Sequence, residues 1–360
     1  LRLPRPEADQ LAGRKPLGKV AILVPKNSLA LTLVKAIAGA YLAGNQILVH
    51  LPAQLKKTYP IYSQFLTTHL PGVEVSPPES GSADFMRQSL KNPDIRAIVV
   101  YGDDAWIDVY HDAAEASGTK LIFEGPGNDP LIVLEDADIG EAVRGAMECG
   151  LNNGGQSCSA FERFFVHEQL VDEFATRLVI SLQKLKMGSP FDPQTDIGPV
   201  ASRIIFSRML KQLKEAEELG AEIIYGGNVI TEAVTGLPIV VPTVLTHCSP
   251  QLAVVEKETF GPVFPIISFK SLNDLMPVLD ATNYGLNASV FGNCPDELIS
   301  YLRSTHRNVY QNSTCVSPEN LETRILDGGF RRSGFIWEQA ETYCSRTGPR
   351  LLTLELSHPA

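Results

Sequence analysis

The sequence predicts an α/β protein with mostly parallel sheets. Three observations carry that expectation: apolar runs each long enough for one buried strand, stretches of helical apolar spacing between them, and Gly, Pro or Asn at the handovers. The first run, Gly18-Lys19-Val20-Ala21-Ile22-Leu23-Val24-Pro25, reads as a buried strand. Asn27 and Ser28 follow as candidate caps, and Leu29 to Leu42 has helical spacing. Gly44-Asn45 ends that helix, and Gln46 to Val49 gives the next strand. A helix over about Leu55 to Leu70, then strands at Ile95 to Val100 and Leu121 to Phe123, continue the alternation. This first third reads as a nucleotide-binding type of domain.

After Pro130 a second series begins. Asp136-Ala137-Asp138 precedes a helix to about Gly150, and the loop of Cys158 leads into a helix or strand near Phe161 to Val166. Leu170 to Lys186 is an amphipathic helix ended by Met187-Gly188-Ser189-Pro190, and Pro199 to Gly220 is a long polar-faced one. Ile223-Ile224-Tyr225 starts another strand, and the alternation runs on to Val309. Arg350 to Ser357 alternates like an exposed edge strand, which usually needs a partner, often another subunit.

The chain has 360 residues, 44% hydrophobic and 20% charged, enough for two domains or more. A net charge of -10 without a Lys/Arg stripe argues against nucleic acid as a partner. The six cysteines, at 149, 158, 248, 294, 315 and 344, show no metal-ligand spacing, so no metal site is expected. They are too few for a disulfide scaffold, which fits a reducing compartment. No apolar run has the length of a membrane span and no signal peptide is visible, so a cytoplasmic protein without membrane contact is expected. The chain begins at Leu1, which suggests a missing leading segment.

Two short stretches carry candidate chemistry. Cys158 lies in Asn152-Asn153-Gly154-Gly155-Gln156-Ser157-Cys158-Ser159-Ala160, and Glu124 opens Glu124-Gly125-Pro126-Gly127-Asn128-Asp129-Pro130. A thiol can attack a carbonyl carbon, and a carboxylate can activate the water that later frees the product. Taken singly, a cysteine is more often an inert core residue, a glutamate a solvated loop carboxylate, and Asn27 a helix cap. Their company changes that balance.

The stretches Gly155-Gln156-Ser157-Cys158 and Glu124-Gly125-Pro126-Gly127-Asn128-Asp129-Pro130 resemble the nucleophile and general-base motifs of the aldehyde dehydrogenase superfamily. Gly188-Ser189-Pro190-Phe191-Asp192 with Gly198-Pro199, Glu258-Thr259-Phe260-Gly261-Pro262-Val263 and Asn283-Tyr284-Gly285-Leu286-Asn287-Ala288 are similar to further family motifs, in order. Val309-Tyr310-Gln311-Asn312 and Gly328-Gly329-Phe330-Arg331-Arg332-Ser333-Gly334 complete the series, and the likeness runs from about Arg14 onward.

The resemblance implies two Rossmann-type α/β domains plus a small oligomerisation element. Residues 17–124 would form the cofactor-binding domain, its front end missing, and 125–345 the catalytic domain. Residues 1–16 and 346–360 would belong to the oligomerisation element of a homodimer or homotetramer. The implied reaction oxidises an aldehyde with NAD or NADP through a Cys158 thiohemiacetal and thioester, with Glu124 activating water. Asn27 and the Cys158 N–H would form the oxyanion hole. Pro25, Lys26, His50, Gly102, Asp103, Glu258 and Phe260 occupy the positions of cofactor contacts, the last two at the nicotinamide side.

The cofactor side departs from the family pattern. His50 stands where a lysine is usual, Lys26 where a tryptophan is, and Tyr101-Gly102-Asp103-Asp104 replaces a glycine-serine step, placing two carboxylates where a pyrophosphate would sit. Dinucleotide binding is therefore expected to be weakened. Gly125-Pro126-Gly127-Asn128 also resembles coenzyme A-acylating relatives, which leaves a coenzyme A- or carrier-protein-dependent acyl-thioester enzyme as one alternative. A non-catalytic family member with a degraded cofactor site is the other.

Overall fold

Apolar strands that alternate with amphipathic helices bury both faces of a parallel sheet, and the computed structural model shows two such sheets. It describes residues 16–321 and 329–335, in two units. The first runs to Gly125 and includes residues 334–335; the second runs from Pro126 and includes Gly329–Ser333. The oligomerisation element expected in residues 1–16 and 346–360 lies, apart from Pro16, outside the described residues.

In the first unit the order is β1 (Lys19–Leu23), α1 (Leu29–Leu42), β2 (Gln46–His50), α2 (Tyr59–His69), β3 (Val73–Val75), α3 (Ser82–Lys91), β4 (Ile95–Tyr101), α4 (Asp108–Ser117) and β5 (Lys120–Glu124). These strands pair in parallel in the spatial order β5-β4-β1-β2-β3, with the short strand Gly334–Phe335 antiparallel on β5. Alternation along β1 sends Val20 and Ile22 into one core with Leu33, Ile37 and Leu66, and Ala21 and Leu23 into another with Phe85, Met86 and Tyr110. The sheet is therefore wound on both faces. Its winding reverses between β1 and β4, so a crevice for a ligand is expected beyond the carboxyl ends of those two strands.

The helix expected over Leu55 to Leu70 starts later, at Tyr59, after a single 3₁₀ turn at Ala53–Leu55. Pro60 sits in the first turn of α2, where a proline removes no internal hydrogen bond. Missing from the sequence reading are β3, with three residues, and α3 and α4, whose faces are mostly polar.

The second unit opens with β6 (Asp129–Val133), α5 (Ile139–Gly150), β7 (Phe161–His167), α6 (Val171–Leu182), α7 (Arg203–Glu218) and β8 (Glu222–Tyr225). A hairpin, β9 (Val229–Thr231) and β10 (Pro238–Val240), precedes β11 (Thr243–Thr246), α8 (Ala253–Glu256), β12 (Val263–Phe269) and α9 (Leu272–Leu279). Then come β13 (Tyr284–Gly285), β14 (Asn287–Phe291), α10 (Asp296–Thr305), β15 (Asn308–Gln311), α11 (Pro318–Leu321) and β16 (Phe330–Arg331). Seven strands form one sheet in the order β15-β14-β6-β7-β12-β11-β8, in which only β8 is antiparallel.

The segment left open as helix or strand after the Cys158 loop is a strand, as aromatic and branched residues buried on both faces favour. The expected helix from Pro199 begins at Arg203, because Ser202 caps it and its side chain accepts from the Ile205 N–H. The helix read as Leu170 to Lys186 stops at Leu182. Asp138 caps α5 by accepting from the Glu141 N–H.

Candidate active site

The first sheet gathers one group of candidate residues at the carboxyl ends of its strands. Asn27 lies in the turn between β1 and α1, half-buried, after half-buried Pro25 and exposed Lys26. The helix cap beside it is Ser28, which makes no side-chain capping bond. Asn27 therefore does not hold the cap position. Glu124 ends β5 half-buried, and its carbonyl accepts the Gly102 N–H at 3.1 Å, which ties the ends of β4 and β5 together. Asp103, exposed, turns its carboxylate back onto the Ala105 N–H at 2.9 Å.

His50 is only 2% exposed. Its Nδ1 lies 2.8 Å from Ser76 Oγ, and its ring stacks on Phe85 at 4.8 Å between centroids. Burial lowers the imidazole pKa below its ordinary value, so the ring is neutral packing at the end of β2.

The second unit gathers the other group around Gly127. A Cβ on Gly127 would lie 1.8 Å from the Cys158 carbonyl oxygen, so only glycine lets this loop press against the nucleophile loop. The cysteine loop itself turns through three successive left-handed residues: Asn153 at φ 55°, Gly154 at 64° and Gly155 at 75°. A Cβ on Gly155 would strike Gly261 backbone at 2.3 Å.

Gln156 braces the turn: its Oε1 accepts from the Ala201 N–H at 2.8 Å and its Nε2 donates to the Asn153 carbonyl at 3.3 Å. Just past the nucleophile, the Ser159 carbonyl accepts from the Cys149 thiol at 3.1 Å and the Cys315 thiol at 3.6 Å. Cys149 and Cys315 are buried, whereas Cys158 is half-buried at the loop tip. That is the one of these three sulfurs a solute can meet.

Glu258 Oε1 accepts from the Gly127 N–H at 3.0 Å, and its Oε2 lies 3.5 Å from Arg208. Phe260, half-buried, is held at φ 59°, a conformation costing an L-residue roughly 1 kcal/mol. Thus Cys158, Glu258 and Phe260 share one network through Gly127 and Gly261.

Sequence reasoning missed what supports this network. Asn128 Nδ2 donates to the Val255 carbonyl at 2.8 Å, and Arg163 Nε donates to the Asn128 carbonyl at 2.8 Å. Asp129 accepts from both the backbone and the side chain of Asn287. Burial pushes the Arg163 guanidinium down to about 10. The signal was present: Glu162-Arg163 interrupts an otherwise apolar strand, and charged residues are almost never fully buried without partners. Among the described residues no cluster of His, Cys, Asp or Glu is arranged to hold a metal ion, and no helix is long and apolar enough to cross a membrane.

Lys26 follows the end of β1 and Gly102 the end of β4, the two strands between which the winding of the first sheet reverses.

Comparison with known proteins places this geometry in context. The model described as the aldehyde dehydrogenase family matches residues 2–346. A sulfoacetaldehyde dehydrogenase of Neptuniibacter caesariensis is 31% identical over 280 residues, covering 77% of this chain and 59% of that protein. A succinate semialdehyde dehydrogenase [NAD(P)+] of Escherichia coli (strain K12) is 29% identical over 325 residues, covering 89% of this chain and 68% of its own length. The crystal structure of a Mycobacterium tuberculosis aldehyde dehydrogenase complexed with NAD+ superposes with a TM-score of 0.79 at 26% identity, covering 89% of this chain and 66% of that one. The chain thus spans roughly six to seven tenths of these relatives.

Proposed function

The chain belongs to the aldehyde dehydrogenase family, and from that premise we propose that it oxidises an aldehyde to the carboxylic acid with NAD+ or NADP+. The observation that carries this is the half-buried Cys158 thiol, which follows a turn of three left-handed residues and whose backbone lies against Gly127. Sulfur attack on the carbonyl carbon forms a thiohemiacetal, with the oxyanion held by the Asn27 side-chain amide and the Cys158 N–H. Bound nicotinamide supplies a hydride acceptor. Loss of hydride from the thiohemiacetal leaves a thioester, and Glu124 takes a proton from the water that cleaves it, returning the thiol and releasing the acid.

Within this proposal the first unit binds the cofactor, through Pro25, Lys26, Gly102 and Asp103 at the ends of β1 and β4, and the second is catalytic. Glu258 and Phe260 serve the ribose and ring. His50, buried against Phe85, contributes by packing the end of β2 rather than by charge. The Gly-Pro-Gly stretch has a packing reason, the contact of Gly127 with Cys158, and so adds no weight to transfer of the acyl group to coenzyme A.

Two finer points belong here. The small number of cysteines for a chain of this length supports a reducing compartment such as the cytoplasm. The alternating Arg350 to Ser357 supports homodimer or homotetramer formation by strand pairing, which sedimentation measures.

The test is turnover: the chain with NAD+ or NADP+ and a panel of small aldehydes, followed by reduced-nicotinamide absorbance and product mass. Free acid formed in step with reduced nucleotide is expected. A coenzyme A ester as the only product, or no reduction with any aldehyde, contradicts the proposal.

A further inference from the structure

Glu162 is a carboxylate near the start of a fully buried strand, 2% exposed, on the neighbour of the strand that follows Phe260. Its two oxygens accept from two successive backbone N–H groups, Thr259 at 2.5 Å and Phe260 at 2.7 Å. Successive amides converging on one anion form a nest, and here the second residue has the left-handed backbone such a nest requires. A buried ionised carboxylate is expensive unless its lone pairs are taken up, so the strand and the turn are tied together strongly. The tied turn is the one that carries Glu258 and Phe260.

We infer that Glu162 is a positioning residue: its carboxylate holds the Thr259–Phe260 turn in its left-handed shape and so sets Glu258 and Phe260 for a nicotinamide nucleotide. The functional half of this rests on the dehydrogenase reading above; the structural half does not. Glu162 touches no reacting atom. It acts through the two amides, as Glu258 acts on the Gly127 N–H and hence on the loop against Cys158.

The charged groups facing Glu162 set how it titrates. Burial first, and the neighbouring Glu258 carboxylate second, push its carboxyl well above the usual range, while the Thr259 and Phe260 amides and the Arg208 guanidinium pull the other way. Arg163, next along β7, also lies within its field. The two carboxylates thus compete for ionisation.

The experiment uses the full chain and its Glu162→Gln variant, with Glu162→Asp as a second variant that keeps the charge but withdraws it by one methylene. Amide hydrogen exchange is read at the Thr259–Phe260 peptide without nucleotide, and NAD+ and NADP+ affinities are measured against pH. In Glu162→Gln, exchange at those amides should rise and nucleotide affinity fall about tenfold or more, as loss of a charge-assisted hydrogen bond implies. The pH profile of affinity should also change, because Glu258 no longer lies beside a second titratable carboxyl. Glu162→Asp should shift exchange and affinity in the same direction by less; if Glu162→Gln does not fold, this variant decides.

Unchanged exchange overturns the inference outright. Faster exchange with unchanged affinity and pH profile overturns the nucleotide half. If the wild-type chain binds neither nucleotide, the dehydrogenase reading fails and takes the nucleotide half with it, while exchange still decides whether Glu162 holds the turn.

Discussion

The loops at the ends of the first sheet and the loops around Cys158 in the second unit are held in different ways. In the first unit, position comes mainly from the backbone: parallel ladders end at Leu23, His50, Tyr101 and Glu124, and apolar side chains sandwich the strands. In the second, buried polar side chains reach across the chain to backbone groups: Glu162 to residues 259 and 260, Glu258 to 127, Gln156 to 201, Asp129 to 287. Apolar sandwiches tolerate exchange of like for like, whereas a buried polar network fails when one member is removed. The region expected to do covalent chemistry is thus the one held by a buried polar network.

The sharpest way to break that comparison is at the sulfur. Cys158→Ala should abolish aldehyde-dependent nucleotide reduction while circular dichroism and nucleotide affinity stay as in the wild type; residual turnover near wild type would remove the nucleophile assignment.

Gly127→Ala comes next, since its Cβ would meet the Cys158 carbonyl at 1.8 Å. Displacing a reacting group by about 1 Å costs on the order of a hundredfold in rate, so kcat should fall at least that far, with a lower Tm. Wild-type kinetics in this variant would show that the two loops are not in register.

A pH arm follows. His306, 2% exposed, is pushed down to about 3 by burial first and by Arg163 and Arg331 next. A base whose folded value is depressed stays neutral in the folded chain while the unfolded chain takes up a proton. Stability is therefore lost as pH falls from the unfolded value of 6.5 toward about 3, by up to ~1.4 kcal/mol per pH unit. His306→Gln should flatten that slope in denaturant titrations over this range. An unchanged slope would place the acid sensitivity elsewhere.

The smallest effect is expected in the first unit. A Cβ on Gly81 meets nothing nearer than an Asp84 carboxylate oxygen at 3.9 Å, and no left-handed backbone is required there. Gly81→Ala should shift stability by no more than about 0.5 kcal/mol in either direction and leave turnover unchanged. A large loss would mean that the two regions are equally intolerant.

The same contrast explains what the sequence made legible. Strand runs such as Val20 to Val24 announce themselves because burial on both faces demands continuous apolar residues, and the ordered motifs around Glu124, Cys158 and Glu258 carry the family resemblance in the sequence itself. The short β3 and the polar-faced α3 and α4 were missed because three residues, or one narrow apolar stripe, barely rise above loop sequence. His50 read as a cofactor contact standing where a lysine is usual, since nothing local shows that Ser76 and Phe85 pack around it. The tie from Glu162 spans nearly a hundred residues to Thr259, and no short window contains both ends.

The central claim is that Cys158 bonds covalently with the carbonyl carbon, and alkylation tests it most directly. Iodoacetamide is added at neutral pH, with peptide mapping against time and aldehyde-dependent turnover followed in the same samples. The account predicts that Cys158 is modified well ahead of Cys149, Cys248, Cys294 and Cys315, that turnover disappears in step with it, and that an aldehyde substrate slows it. Modification of Cys158 at the pace of the buried thiols, or activity that survives its complete alkylation, would contradict the account.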